Sequence, residues 1–157
     1  EIGQKNEWNH DCELDWQLVR DSKFHRGLQD WIRDLNFFYR DHSALWEADF
    51  ERDGFQWVNC NDREKLVLSF IRMNSDKSEQ LLVIANLSEK HYSDYRLEMP
   101  KLSTWEKVLD SNKSIYVGTN SSANRNIKIT TQLIDEINFS ISTSLTPFAI
   151  LVFRLVH

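Results

Sequence analysis

Two different rhythms run through this chain. From Leu28 onward, apolar residues return at spacings of three and four: Leu28, Trp31, Ile32, Leu35, Phe38 and Tyr39. Residues spaced in this way share one face of a helix, so the pattern predicts a helix over 24–41. Asp30, Arg33, Asp34 and Arg40 fall mostly off that stripe. Asp30 stands three residues before Arg33, within reach of a helical ion pair. Ser22 is placed as the N-cap, because its hydroxyl can accept an orphan amide hydrogen bond. Residues 43–48 allow one more helical turn. Ahead of the helix, residues 1–23 show no period. Asp, Asn, His and Trp crowd together from Glu7 to Trp16, as in a polar loop with aromatic anchors.

After Gly54 the period becomes two. Short strands are predicted at 55–59 and at 65–73, the second bounded by turn-rich Asn61-Asp62 and 74–80. Residues 81–87 are almost wholly apolar, as in a strand buried on both faces. Tyr95, Leu97 and Met99 alternate with Arg96 and Glu98. A weaker strand is read at 105–109, followed by a long polar and irregular loop over 110–126. Ile127 and Ile129 restart the alternation. Ile137, Phe139 and Ile141 then alternate with Asn138, Ser140 and Ser142, and Pro147 opens a last apolar strand at 148–155. Seven or eight short antiparallel strands with turns between them read as a β-sandwich or Greek-key barrel. The fold class is therefore mainly β, with one helix ahead of the strands.

The length of 157 residues suits one domain or one domain with an appendage. A 41% hydrophobic share is enough for one core. No apolar run approaches the ~20 residues of a membrane helix, and no signal peptide opens the chain. The first residue is Glu1 rather than Met, which fits a trimmed chain or a fragment. Cys12 and Cys60 show no CxxC spacing and are read as reduced thiols of a cytoplasmic protein. Charge divides the chain further. Residues 1–62 carry 14 acidic and 7 basic side chains, and the remainder carries 10 and 12. An acidic first segment with no basic stripe argues against nucleic acid, whose binding rests on Lys and Arg neutralising phosphates. Five of the six tryptophans lie in residues 1–57. The two parts thus differ in kind, with a boundary near 49–54: residues 1–49 and residues 50–157.

Candidate chemistry is sparse. Glycoside chemistry needs two carboxylates across the sugar, ~5 Å apart for retention of configuration. Glu7, Asp11, Glu13 and Asp15 share one loop, and nothing in their spacing marks a pair. His10, Asp11, Cys12 and Asp15 include ligand types, but a structural zinc site wants four ligands at defined spacing, so no metal site is read. Trp8 and Trp16 stand in a polar loop, where an indole can stack on a sugar ring or anchor the loop. Trp31, Trp46 and Trp57 sit in periodic or strand contexts and are read as core. Nucleophile triads, phosphate loops and dinucleotide fingerprints are absent from the sequence.

Several runs, taken together, resemble a known family. Glu7-Trp8-Asn9-His10-Asp11 followed by Leu14-Asp15-Trp16 is similar to a signature of bacterial 1,4-α-glucan (glycogen) branching enzymes. So are Arg33-Asp34-Leu35-Asn36 with Tyr39-Arg40, and Ala44-Leu45-Trp46-Glu47 with Asp49-Phe50 and Gly54-Phe55-Gln56-Trp57. Cys60-Asn61-Asp62, Leu68-Ser69-Phe70-Ile71-Arg72, Ala85-Asn86-Leu87 and Leu145-Thr146-Pro147 continue in order. Residues 116–126 depart from the family, with Ser, Ala and Arg where glycines are usual, and 131–136 diverge as well.

The resemblance implies that Glu1-Ile2-Gly3-Gln4 ends the last strand of a (β/α)8 barrel. Residues 1–49 would then be its final loop and helix, and 50–157 an α-amylase-type C-terminal all-β domain. The family's nucleophile, acid/base and stabilising acids all lie upstream, so no catalytic residue falls in this chain, which is expected to be inactive alone. The intact enzyme would cleave α-1,4 glucan with retention and pass the chain to a 6-hydroxyl, making an α-1,6 branch in glycogen synthesis. No metal or organic cofactor is implied. Trp8, Asn9, His10 and Trp16 are placed on the substrate side, because sites of such barrels lie on that face. The partners implied are α-glucan and the missing barrel of the same polypeptide, in a monomer, with neither nucleic acid nor membrane. The alternatives are a stand-alone α-glucan-binding sandwich and a structural cap without a ligand.

Overall fold

The computed structural model of the chain describes residues 1–119, 128–133 and 139–156. They form two compact units, one of residues 1–41 with the segment that begins at Ser111, the other of residues 42–110 with the described residues from 128 on.

Among the described residues the first unit holds two α-helices, α1 (Trp16–Asp21) and α2 (Lys23–Asp41). α2 matches the helix predicted from the stripe. α1 lies where no period was read, since six residues are under two turns and too few for a period to show. Ser22 joins the two helices. Its amide donates to the Leu18 carbonyl and its extended backbone offers its own carbonyl to the Arg26 amide, as an N-cap residue does. The Arg26 guanidinium turns back to donate to the carbonyls of Val19 and Arg20 at 3.3 and 2.9 Å. Those are among the end groups that α1 cannot satisfy itself.

The described part of the 110–126 loop is well structured. Tyr116 closes a 3-10 turn (Ser114–Tyr116) and Val117 follows with φ +65°. Asn112 ties the loop to itself, donating to Thr119 Oγ1 at 2.9 Å and accepting the Thr119 amide at 3.1 Å. The turn packs on α2 at Gly27. A Cβ there would stand 2.8 Å from Val117 Cγ2 and 2.9 Å from the Tyr116 carbonyl carbon. One turn along, Trp31 meets the Tyr116 ring edge-on at 5.0 Å. Another turn along, the Tyr116 hydroxyl donates to Asp34 at 2.7 Å. Gly27, Trp31 and Asp34 are the i, i+4, i+7 face of one helix, and all three serve the loop.

The second unit opens with a 3-10 turn at Ser43–Leu45 and another at Arg52–Gly54. Among the described residues nine strands follow: β1 (Phe55–Asp62), β2 (Val67–Met73), β3 (Gln80–Asn86), β4 (Tyr92–Met99), β5 (Thr104–Asp110), β6 (Lys128–Thr130), β7 (Gln132–Leu133), β8 (Phe139–Leu145) and β9 (Ile150–Val156). One sheet runs β1-β2-β3-β9-β5-β6 and the other β4-β8-β7, with antiparallel pairing throughout. The mainly β, antiparallel architecture is the one expected. Ile127 and Ile137, which entered that expectation, lie outside the described residues. The alternation decides which side chains meet. Tyr95, Leu97 and Met99 of β4 and Ile141 of β8 turn inward, against Ile71, Ile84 and Phe153 of the larger sheet. β3 has Leu81, Leu82 and Ile84 fully buried, as its unbroken apolar run suggests.

Two polar groups, one buried and one partly buried, show how the turns are held. Asn86 is fully buried, and its amide donates to the Lys90 and Thr146 carbonyls, both at 2.8 Å. Its Oδ1 accepts the amide and the hydroxyl of Ser88 at 3.0 and 2.7 Å. Every hydrogen-bonding position of that side chain is used. Glu79 does the same for the start of the unit. Its carboxylate accepts from His42 Nδ1, Ser43 Oγ and the Ala44 amide at 2.5, 3.0 and 3.0 Å. Gly54 sits where a Cβ would be 2.1 Å from the Ala48 carbonyl oxygen, so the turn before β1 requires glycine.

The tryptophans need correction. Trp46 and Trp57, read as core, are 45% and 51% exposed, and Trp31 is only half-buried. Trp105 is the core tryptophan at 1% exposure, with its indole N–H donating to Ser103 Oγ at 2.8 Å. The reason for Trp57 is register. It pairs with Phe70, and Gln56 pairs with the core residue Ile71, so the two odd-numbered aromatics of β1 point to the outer face.

Candidate functional site

The loop of the first unit carries the four residues expected on the substrate side. Asn9 shapes it: its side-chain oxygen accepts the Asp11 amide at 3.0 Å and its carbonyl accepts the Cys12 amide at 3.2 Å. This is an Asx-turn, in which a short polar side chain imitates a backbone turn. The turn places Trp8 and His10 on either side of Asn9 with their rings 6.1 Å apart and tilted by 42°. Trp8 is 76% exposed. His10 Nε2 lies 3.3 Å from Asp11 Oδ1, also in the open. Trp16 begins α1 and is exposed too, but no ring contact joins it to Trp8 or His10 among the described residues. Thus Trp8, Asn9 and His10 form one group and Trp16 stands apart.

Such a group suits binding more than bond cleavage. An open indole face offers an apolar plate to the C–H-rich face of a pyranose, and an adjacent imidazole offers a polar partner to its hydroxyls. Glu7, Asp11, Glu13 and Asp15 are all exposed. Among the described residues, no three His, Cys, Asp or Glu side chains gather as metal ligands would. No helix among them is long and apolar enough to cross a membrane.

The second unit presents an aromatic group that includes Trp57, expected in the core. Phe55 and Phe70 lie nearly parallel at 5.2 Å, and Trp57 stands against them at 4.9 and 5.8 Å, close to perpendicular. The three form an apolar step on the outer face of β1 and β2. Arg72, which pairs with Phe55, is itself anchored, donating to Asp49 Oδ1 at 2.6 Å and to the Leu45 carbonyl at 3.1 Å. The available signal was Phe55 and Trp57 two apart in a strand at the sheet edge. Period two says they share a face but not which face is buried.

Residues 57–156 match the family described as alpha amylase, C-terminal all-beta domain. The chain is also similar to proteins named 1,4-alpha-glucan branching enzyme GlgB. That of Prochlorococcus marinus (strain MIT 9303) is 38% identical over 98% of this chain and 20% of its own length. That of Shewanella frigidimarina is 39% identical over 75% of this chain and 16% of its own length. That of Bradyrhizobium sp. is 42% identical over 76% and 17%. The chain therefore spans about a fifth of the length of these relatives.

Proposed function

The chain belongs to the alpha amylase, C-terminal all-beta domain family, and we propose that it is the C-terminal part of a 1,4-α-glucan branching enzyme. One observation carries the reading: similarity to a relative of that name continues across 98% of the chain, through both units. In this reading, residues 1–49 are the last loop and helix of a catalytic barrel and 50–157 are the β-domain that follows it. The whole enzyme cleaves an α-1,4 glucan through a covalent glycosyl intermediate and delivers the chain to a 6-hydroxyl, with retention and without metal or organic cofactor. It works as a cytoplasmic monomer, and the acids that break the bond belong to the barrel. Trp8, Asn9, His10 and Trp16 contribute to the glucan side. The 157 residues alone are then inactive. Purified chain is incubated with amylose while iodine colour and reducing ends are followed. Turnover that stays with the chain through repurification contradicts the reading.

A specific observation also favours glucan binding by the β-domain itself, the step in which exposed Phe55 and Trp57 pack on half-buried Phe70. Affinity electrophoresis in amylose gels tests it. Retarded migration that is lost in Trp57→Ala and unchanged in Trp46→Ala supports a binding module. Equal mobility with and without amylose leaves the structural cap.

A further inference from the structure

One cleft of about 410 Å3 adjoins the aromatic step, sharing Phe55 with it, and its other lining residues belong to neither site described above. Its floor is core, with Ile71, Met73, Met99 and Trp105 all buried. Its edge is cationic. Arg52 comes from the 3-10 turn before β1, Lys77 from the turn between β2 and β3, and Lys101 from the turn between β4 and β5. A single carboxylate lies among them, Asp53, 3.7 Å from Lys77. Arg52 and Lys101 make no ion pair among the described residues. Three cations drawn from three turns run against the charge of the chain, which is −5 overall.

The edge is held in place. Gly54 seats the Arg52 turn on the Ala48 carbonyl, and Lys77 is fixed with φ +60° while its amide donates to the Asn74 carbonyl at 3.1 Å. The amide side chains of Gln56 and Gln80 also line the space. The volume falls in the range of small-ligand sites, which combine apolar walls with a few polar groups. An apolar floor receives the C–H face of a ring, amides receive hydroxyls, and Arg and Lys favour a phosphate dianion over a neutral group.

We propose that this cleft binds a phosphorylated hexose. The choice of hexose rests on the glucan reading, and the phosphate rests on the edge charges alone. A phosphate ester on a free sugar and one on a glucan chain offer the same chemistry, so glucose 6-phosphate and a 6-phosphorylated maltotriose are the two arms of the test.

The chain has two methionines, Met73 and Met99, and both line the cleft. Methyl-13C-methionine labelling of the 157-residue chain therefore gives two NMR signals, each reporting on the floor. Either phosphorylated probe should move both signals saturably at millimolar concentration. Glucose and inorganic phosphate should bind at least about ten-fold more weakly, because each supplies half of the recognition. Arg52→Glu with Lys101→Glu should weaken binding by at least about ten-fold with an unchanged circular dichroism spectrum. Unmoved methyl signals overturn the proposal. So does glucose or phosphate binding as tightly as the ester, or a charge-reversed variant that binds as before. Maltoheptaose, read at the Trp57 indole, reports on the glucan reading separately.

Discussion

Asn86 offers the sharpest test of how the β-sandwich is held. Truncation to alanine removes four hydrogen bonds, two donated to the Lys90 and Thr146 carbonyls and two accepted from Ser88. Each is worth about 1 kcal/mol net, and a buried partner left unsatisfied costs about 1–3 kcal/mol. Lys90 is exposed, so water can replace the lost donor there, whereas the amide and hydroxyl of buried Ser88 have less recourse. Asn86→Ala should therefore destabilise by about 3–5 kcal/mol. Asn86→Asp keeps both acceptor bonds but sets a carboxylate oxygen against two carbonyls 2.8 Å away. It should cost as much at neutral pH, because like partial charges replace donor–acceptor pairs. Urea unfolding followed by fluorescence of buried Trp105 measures both, with Trp46, Trp57 and the first-unit tryptophans replaced by phenylalanine in every protein compared. A loss under about 1 kcal/mol for Asn86→Ala, or an Asn86→Asp variant as stable as its parent, refutes the reasoning.

Two further outcomes follow from the titrating groups. Burial acts to raise the Glu79 carboxyl, but the hydrogen bonds from His42, the Ala44 amide and Ser43 outweigh it and hold the group below its ordinary value. Its contribution is thus present above the unfolded carboxylate range near ~4.3 and is lost as pH falls through the lower folded value. Glu79→Gln should be less stable than its parent at neutral pH, with the gap closing on acidification; a pH-independent gap in thermal unfolding refutes this. Burial, then the bond to Asp34, pushes the Tyr116 hydroxyl above its ordinary range, and burial with Asp62 does the same to Tyr95. Tyr95 and Tyr116 should titrate late in an absorbance titration. Asp34→Ala should return Tyr116, and not Tyr95, toward ~10; no change between parent and variant counts against the Tyr116–Asp34 clasp.

Legibility in the sequence followed the strength of the local rule. α2 was plain because six apolar residues repeat over about three turns, and β3 because an unbroken apolar run leaves a strand few other places. The ends of β2, β4 and β5 fell within a few residues, where turn residues mark them. α1 was invisible, being shorter than the window in which a helical period can be seen. The ordered turn at 114–117 was hidden for a different reason. Its partners Gly27, Trp31 and Asp34 lie over 80 residues away, and a polar stretch held by long-range contacts looks the same as one that is not. Trp57 was misplaced because alternation defines two faces of an edge strand without naming the wet one. The same ambiguity hid the aromatic step of Phe55, Trp57 and Phe70, which became visible only in three dimensions. The Trp8–Asn9–His10 group was legible as a loop of suitable residue types, and its geometry came from an Asx-turn that the Asn9-His10-Asp11 order permits but does not require.

The central claim is that this chain works as part of a branching enzyme. The most direct measurement is made on the polypeptide that carries it in its native cell, captured with an antibody raised against residues 1–157. The captured protein is incubated with amylose, and the anomeric proton signals of α-1,4 and α-1,6 linkages are followed by NMR. The account predicts a polypeptide several times longer than this chain that forms α-1,6 linkages while the total of glycosidic bonds stays constant, since each cleaved bond is remade as a branch. A captured polypeptide that forms no α-1,6 linkage, or that only shortens amylose, contradicts it.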